Sequence, residues 1–227
     1  MRSRLLVVFA AVCFATTGTS QELGPDNLSP LGVATMRTII GAAFLIVVAA
    51  VMRTKQSRTE YKPVAPWLWF AAGLGMALFA AAFFAGVRST GIAIGTVFAL
   101  ASAPLFTGVI SVIIQKVRPT RQWLIATVVA IIGMSILVLA GNDAQLNVGG
   151  IGLALLAGFG YALFAVASKY LVASGMPGEQ SMARVFVIAA VILAPSLFFV
   201  DLEWLTQPSG IVLVVWLGVV SVGLAYW

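Results

Sequence analysis

Long apolar stretches separated by short polar connections dominate the chain. Six stretches without Asp, Glu, Lys or Arg approach or exceed the ~20 residues that cross a bilayer as a helix: 5–21, 63–87, 89–115, 122–142, 144–168 and 204–227. Two more, 31–52 and 180–200, each contain one arginine near an end. The pattern predicts an all-α fold, a polytopic transmembrane helix bundle with helices at 5–20, 31–52, 66–87, 91–115, 121–140, 149–174, 180–200 and 209–227.

The composition supports a membrane protein and excludes several chemistries. Of the 227 residues, 61% are hydrophobic and 9% are charged, whereas a soluble domain has about 25% charged residues. The chain contains no histidine, which excludes His-based triads and His-ligated metals. The lone Cys13 cannot form an internal disulfide, and the sequence has no ATP-binding P-loop. We therefore expect no metal, no cofactor and no enzymatic activity.

The net charge of +6 is distributed as expected for a membrane protein rather than for a nucleic-acid partner. With the N-terminus in the cytoplasm, eight spans place most basic residues inside: Arg2, Arg4, Arg53, Lys55, Arg58, Lys62, Lys116, Arg118, Arg121 and Lys169. Arg88 then falls in an outer loop, and the outer side also holds Glu22, Asp26, Asp143, Asp201 and Glu203. This positive-inside bias predicts a multi-pass protein of the plasma membrane with a cytoplasmic N-terminus.

The sequence also repeats itself approximately. Offsets of 147 or 145 residues align positions in the same order: Phe14 with Tyr161, Arg37 with Arg184, and Gly73 with Gly218. A repeat of five helices crosses the bilayer an odd number of times, so a second copy would be inverted, as in many transporters. We expect one repeat at 1–142 and a second, truncated to three of five helices, at 149–227. Residues 2–15 also fit a signal peptide, but the repeat favours a helix.

The stretch Ala101-Ser-Ala-Pro-Leu-Phe-Thr107, followed by Arg121-Gln-Trp123 and Gly133, resembles the "SPLFT…RQW…G" pattern of the EamA-type transporters of the drug/metabolite transporter superfamily. Arg37 resembles the arginine of that family's second helix, and the stretch 218–226 resembles the "G…GLAY" of its eighth helix. The resemblance covers essentially the whole chain.

Two departures from the family pattern matter. Lys116 stands where the family usually has an acidic residue, and Ile125 stands where a glycine is expected early in the fifth helix. Lys116 puts in doubt an ion pair in the loop after the fourth helix. Ile125 puts in doubt a close contact of the fifth helix with a neighbour.

The resemblance implies a permease for small organic metabolites, such as amino acids, related compounds or drugs, and frequently an exporter. The repeat favours alternating access about a site near the midplane, with a small-molecule solute and the lipid bilayer as partners. Two alternatives are a membrane-embedded enzyme and a non-transporting scaffold subunit. An enzyme needs a nucleophile and base, carboxylates or metal ligands at depth, which the spans lack. Measured uptake or efflux would exclude a scaffold.

Several side chains are candidates for the substrate cavity. Pro104 lacks an N–H donor and should kink the fourth helix, with two hydroxyl side chains beside it. Two phenylalanines four residues apart share one face of the third helix, and two further aromatic residues lie within the sixth and eighth helices. Each also fits helix packing or a lipid-facing surface. The predicted cavity residues are Phe79, Phe83, Ser102, Pro104, Thr107, Tyr161 and Trp216.

Arg37 and Arg184 are intramembrane ionisable residues and hence candidates for a structural or gating role. Both lie within two turns of a helix start, where a long side chain can reach the headgroups, and we favour that interpretation or interhelix bonding. No acidic residue falls mid-membrane, which predicts a neutral, zwitterionic or anionic solute. We interpret most of the 22 glycines as sites of close helix packing.

Overall fold

A computed structural model describes residues 2–53, 61–116, 120–140 and 147–227, and within these residues the structure is helical without strands. The α-helices are α1 Arg2–Glu22, α2 Pro30–Arg53, α3 Pro66–Thr90, α4 Ile92–Gln115, α5 Arg121–Ala140, α6 Val148–Ala173, α7 Gly178–Leu193 and α8 Pro208–Trp216. The predicted all-α polytopic bundle is confirmed. Some predicted features lie outside the described residues, namely Lys55, Arg58, Arg118, Asp143 and the repeat boundary at residue 142.

Five of the described helices are long and apolar enough to cross a membrane: Pro30–Met52, Pro66–Thr90, Ile92–Ile114, Val148–Ala173 and Gly178–Phe198. The segments Arg121–Ile136 and Pro208–Leu224 are shorter apolar helices. Along α5, Ile125, Val129 and Ile136 are strongly exposed. Such a continuous apolar surface suits contact with lipid rather than with water.

Proline and glycine set several helix ends. Proline occupies the first position of α2, α3 and α8, where its missing N–H would have had no helical partner. Gly91 alone separates α3 from α4 and has a φ of 84°, a conformation that side chains with a Cβ rarely adopt. A single glycine therefore suffices for the turn between two membrane-spanning helices.

Two helices end differently from the sequence prediction. The predicted helix at 180–200 is α-helical only to Leu193 and continues as a 3₁₀ helix over Ala194–Phe198. Pro195 lies in that segment, and proline removes an α-helical hydrogen bond. The predicted helix at 209–227 is α-helical to Trp216 and then π-helical over Leu217–Leu224. A π-helical segment shifts the faces of the residues that follow it.

The core of the bundle is built around α3, which packs against α6 and α7. A Cβ atom placed on Gly75 would lie 2.6 Å from the carbonyl oxygen of Gly160. A Cβ atom on Gly160 would in turn lie 2.7 Å from the backbone nitrogen of Phe79. At Gly158, an added Cβ would lie 2.7 Å from the Ala99 carbonyl oxygen of α4. The prediction of close packing is therefore confirmed at these glycines.

A second pair of glycines makes two equivalent contacts. A Cβ atom on Gly73 of α3 would lie 3.3 Å from the carbonyl oxygen of Val185 on α7. A Cβ atom on Gly218 of the π-helical segment would lie 3.2 Å from the carbonyl oxygen of Arg37 on α2. An isoleucine of the same helix completes each contact. In this structural correspondence Arg37 matches Val185. The sequence offset aligned Arg37 with the neighbouring residue, Arg184.

Candidate functional site

Aromatic rings from five parts of the bundle meet in one connected group, which we name the aromatic cluster. Neighbouring ring centroids lie 4.8–5.8 Å apart, within the range that edge-to-face and tilted aromatic pairs prefer. Helices α1, α3, α6, α7 and the turn after the π-helical segment contribute to it. Its members are Phe14, Phe79, Phe83, Phe84, Tyr161, Phe164, Phe186 and Tyr226.

Three of the predicted cavity residues form the middle of the aromatic cluster. Phe79 lies 5.4 Å from Phe83 on the same helix and 5.3 Å from Tyr161 on α6, measured between ring centroids. Both phenylalanines are buried, and Tyr161 is half-buried. The structure therefore brings these residues together, and the Gly75–Gly160 approach sets the distance between their helices.

Arg37 lies inside the bundle beside the aromatic cluster. Its side chain is 2% exposed, and its guanidinium carbon lies 4.8 Å from the centroid of the Phe84 ring. Its Nε is buried without a hydrogen-bond partner among the described residues. The interpretation that Arg37 extends to the headgroups is wrong, because its side chain is buried within the bundle and its guanidinium lies on the Phe84 ring of α3.

Tyr226 brings a second unpaired polar group to the same place. Its ring lies 5.1 Å from Phe14, 5.7 Å from Phe164 and 4.8 Å from Phe186. Its hydroxyl oxygen is buried and has no hydrogen-bond partner in the described part of the chain. Sequence reasoning missed Tyr226, although it ends the "GLAY" stretch.

Arg184 differs from Arg37 in its surroundings. It is exposed, and its guanidinium carbon lies 5.4 Å from the ring centroid of Trp69. Together with Ile46 and Val187, these two side chains border a shallow apolar groove on the outside of α2, α3 and α7. Its exposure is what the interpretation of a side chain reaching the headgroups requires.

The predicted residues of α4 lie outside the aromatic cluster. The Ser102 hydroxyl donates to the Ala99 carbonyl at 3.3 Å and packs against Gly158 of α6. The Thr107 hydroxyl donates to the carbonyl of Ala103 at 2.8 Å. These two hydroxyls are thus bonded to carbonyls of their own helix.

Pro104 and Trp216 are both exposed. Helix α4 runs from Ile92 to Gln115 through Pro104, whose carbonyl accepts a hydrogen bond from the indole nitrogen of Trp123 at 3.4 Å. The indole nitrogen of Trp216 donates to the hydroxyl of Thr16 on α1 at 3.2 Å. In these positions Pro104 contacts α5 and Trp216 contacts α1.

Among the described residues, no group of three or more His, Cys, Asp or Glu side chains is placed to hold a metal ion. The site consists of aromatic rings, one buried guanidinium and tyrosine hydroxyls inside a polytopic helix bundle. Apolar and aromatic side chains with a few polar groups are also the composition typical of pockets that bind organic molecules.

The sequence is similar to a known protein family and to a named bacterial protein. Residues 1–139 match the EamA-like transporter family. A Bacillus subtilis (strain 168) protein named "Uncharacterized transporter YwfM" is 33% identical over 226 residues, covering 98% of this chain and 74% of the relative. The chain is therefore a multi-pass membrane transporter. It belongs to the EamA-like transporter family, which confirms the resemblance seen in its motifs.

A solved crystal structure of a protein has the same fold. It is similar to this chain with a TM-score of 0.69 at 20% sequence identity, covering 98% of this chain and 75% of that one. At this identity the likeness establishes the fold alone.

Proposed function

We propose that this transporter moves small organic metabolites, such as amino acids, related compounds or drugs, out of the cell across the plasma membrane. The observation that carries the proposal is the aromatic cluster, in which α3 and α6 present Phe79, Phe83 and Tyr161 to one another. Solute sites are typically lined by apolar and aromatic side chains with a few polar groups that fix orientation. The cluster has this composition.

The proposed mechanism is alternating access by two inverted halves. The equivalent contacts of Gly73 with α7 and Gly218 with α2 support it, because a two-fold relation between the halves generates such pairs. Helix pairing supports it as well, since α3 packs on α6 while the π-helical segment packs on α1. Rocking of one half against the other would open the aromatic cluster to each side in turn.

The proposed solute is neutral, zwitterionic or anionic. The sequence has seven acidic residues, and none of them falls within the middle of an apolar span. A cation exchanged against a proton needs a membrane-buried carboxylate. The aromatic rings and the buried guanidinium of Arg37 instead suit an apolar group next to a negative one.

A solute screen tests the proposed function. Cells expressing the chain are loaded with labelled amino acids and related carboxylic acids, and retention is compared with that of cells carrying an empty vector. We expect faster loss of at least one solute, since an exporter lowers its accumulation. Equal retention of every solute would contradict the proposal and favour a non-transporting scaffold subunit.

We also expect the N-terminus and the connection between α2 and α3 to be cytoplasmic, as the positive-inside bias predicts. The backbone N–H of Lys62 donates to the carbonyl of Ser174 at 3.1 Å, so the α2–α3 and α6–α7 connections lie on one side. In a Cys13→Ser background, Leu23→Cys should be labelled by an impermeant thiol reagent in intact cells. Lys62→Cys should be labelled only after permeabilisation, and the reverse pattern would refute the orientation.

A further inference from the structure

Arg37 is a buried cation without a counter-charge in the residues that the structure describes. Its side chain is 2% exposed, its Nε lacks a hydrogen-bond partner, and its visible compensation is the Phe84 ring at 4.8 Å. A cation–π contact recovers only part of the free energy that burying an ion costs. The described part of the fold therefore holds a charge that it does not itself neutralise.

A second donor faces the same region. The Tyr226 hydroxyl is buried without a hydrogen-bond partner among the described residues, and its ring belongs to the same aromatic cluster as Phe84, on whose ring the Arg37 guanidinium lies. A Cβ atom on Gly218 would lie 3.2 Å from the Arg37 backbone carbonyl oxygen, so the last helix, which carries Tyr226, packs directly against the part of α2 that carries Arg37. A guanidinium has only donors, and the phenol oxygen that could accept from it makes no hydrogen bond within the described residues, so both groups keep unused donors.

We propose that Arg37 and Tyr226 form a subsite for the carboxylate of the transported solute, and that the aromatic cluster binds the apolar part attached to it. A carboxylate supplies one negative charge and two acceptor oxygens, matching one guanidinium and one hydroxyl. Inorganic phosphate and other multiply charged anions would need more cations than the described part of this region provides. The substrate class is thus monocarboxylates with an apolar or aromatic side chain, amino acids included.

That the bound carboxylate is also transported rests on the proposed function. Binding of the carboxylate can be tested without transport. Equilibrium binding to the purified chain in nanodiscs would compare 3-phenylpropionate with 3-phenylpropionamide, and indole-3-acetate with indole-3-acetamide. Within each pair the ring is unchanged and the negative charge is removed. We expect the wild type to bind at least one carboxylate about tenfold more tightly than its amide, because a charge-assisted hydrogen bond is lost.

Matched variants assign that preference to Arg37. Arg37→Gln should reduce it to less than about twofold, and Tyr226→Phe should reduce it by about threefold, since one hydrogen bond to the carboxylate is removed while the cation remains. Arg184→Gln is the control, because Arg184 also lies on an aromatic ring, that of Trp69, but is exposed. It should keep the wild-type preference.

Stability separates a binding role from a structural one. Removing an uncompensated buried charge is often neutral or stabilising, so Arg37→Gln without ligand should unfold at or above the wild-type temperature. If this variant does not fold, Arg37→Lys and Tyr226→Phe decide the question. Full wild-type preference in both variants would overturn the proposal.

Three other outcomes would also overturn it. They are equal binding of acid and amide by the wild type, an undiminished preference in Arg37→Gln, and tighter binding of inorganic phosphate than of any carboxylate. A binding preference that follows Arg37 in a chain that moves no solute in cells would refute the proposed function and leave the subsite standing. Transport that is unchanged in Arg37→Gln would refute the subsite and leave the proposed function standing.

Discussion

Replacing Gly160 by leucine is expected to leave little folded transporter. A Cβ atom on Gly160 would lie 2.7 Å from the Phe79 nitrogen and 2.8 Å from the Gly75 carbonyl oxygen. Both are backbone atoms of α3, so neither can rotate away as a flexible side chain would. Overpacking by a single methyl group costs about 1–3 kcal/mol, and a leucine must push the two helices apart. The readout is the monodisperse fraction in size-exclusion chromatography of detergent-solubilised protein.

Gly152 is the matched control for this experiment. It lies in the same helix, and a Cβ atom there would have no neighbour within 4 Å. Gly152→Leu should therefore give a wild-type yield, because the new side chain extends into open space. Equal yields of the two leucine variants would show that the close approach of α3 and α6 does not limit folding.

A milder change at Gly160 should separate folding from function. The Phe79 nitrogen that an added Cβ would contact belongs to the residue whose ring lies 5.3 Å from that of Tyr161. The α3–α6 distance therefore sets the geometry of the aromatic cluster. A Gly160→Ala protein should have a lower melting temperature than the wild type, and at equal folded abundance in the membrane it should also transport less.

The helices could be predicted from the sequence because each is marked by a long stretch without charged residues and by the polar residues that flank it. Three of the helices begin at proline, which marks a helix start by its own chemistry. The π-helical segment Leu217–Leu224 and the 3₁₀ segment Ala194–Phe198 could not be predicted in this way. Their residues are as apolar as those of an α-helix, so the choice depends on contacts with other helices.

The candidate site could be predicted in part, for similar reasons. Phe79, Phe83 and Tyr161 were found because helical spacing and central position are visible in the sequence. Arg37 was misjudged because its distance from the helix start does not reveal which face of α2 is buried. Arg37 and Arg184 look alike in the sequence, yet one is buried and the other exposed.

Tyr161 joins the α3 and α6 parts of the aromatic cluster. Its ring lies 5.3 Å from Phe79 and 5.8 Å from Phe164, and its side chain is half-buried. Tyr161→Ala should lower the rate of solute efflux by roughly thirtyfold, the effect of removing an aromatic side chain that dominates a binding surface. Tyr161→Phe keeps the ring and should stay within about threefold of the wild type, because only one neutral hydrogen bond can be lost.

Tyr170 provides the control, since it is a tyrosine of the same helix whose side chain is exposed. Tyr170→Ala should retain the wild-type rate at equal protein abundance in the membrane, which immunoblotting of the membrane fraction would establish. A Tyr161→Ala protein that inserts normally and exports at the wild-type rate would contradict a solute site at the aromatic cluster. Loss of efflux in both alanine variants would instead indicate that α6 tolerates no truncation, because Tyr170 lies away from the cluster and its loss could act only through the helix.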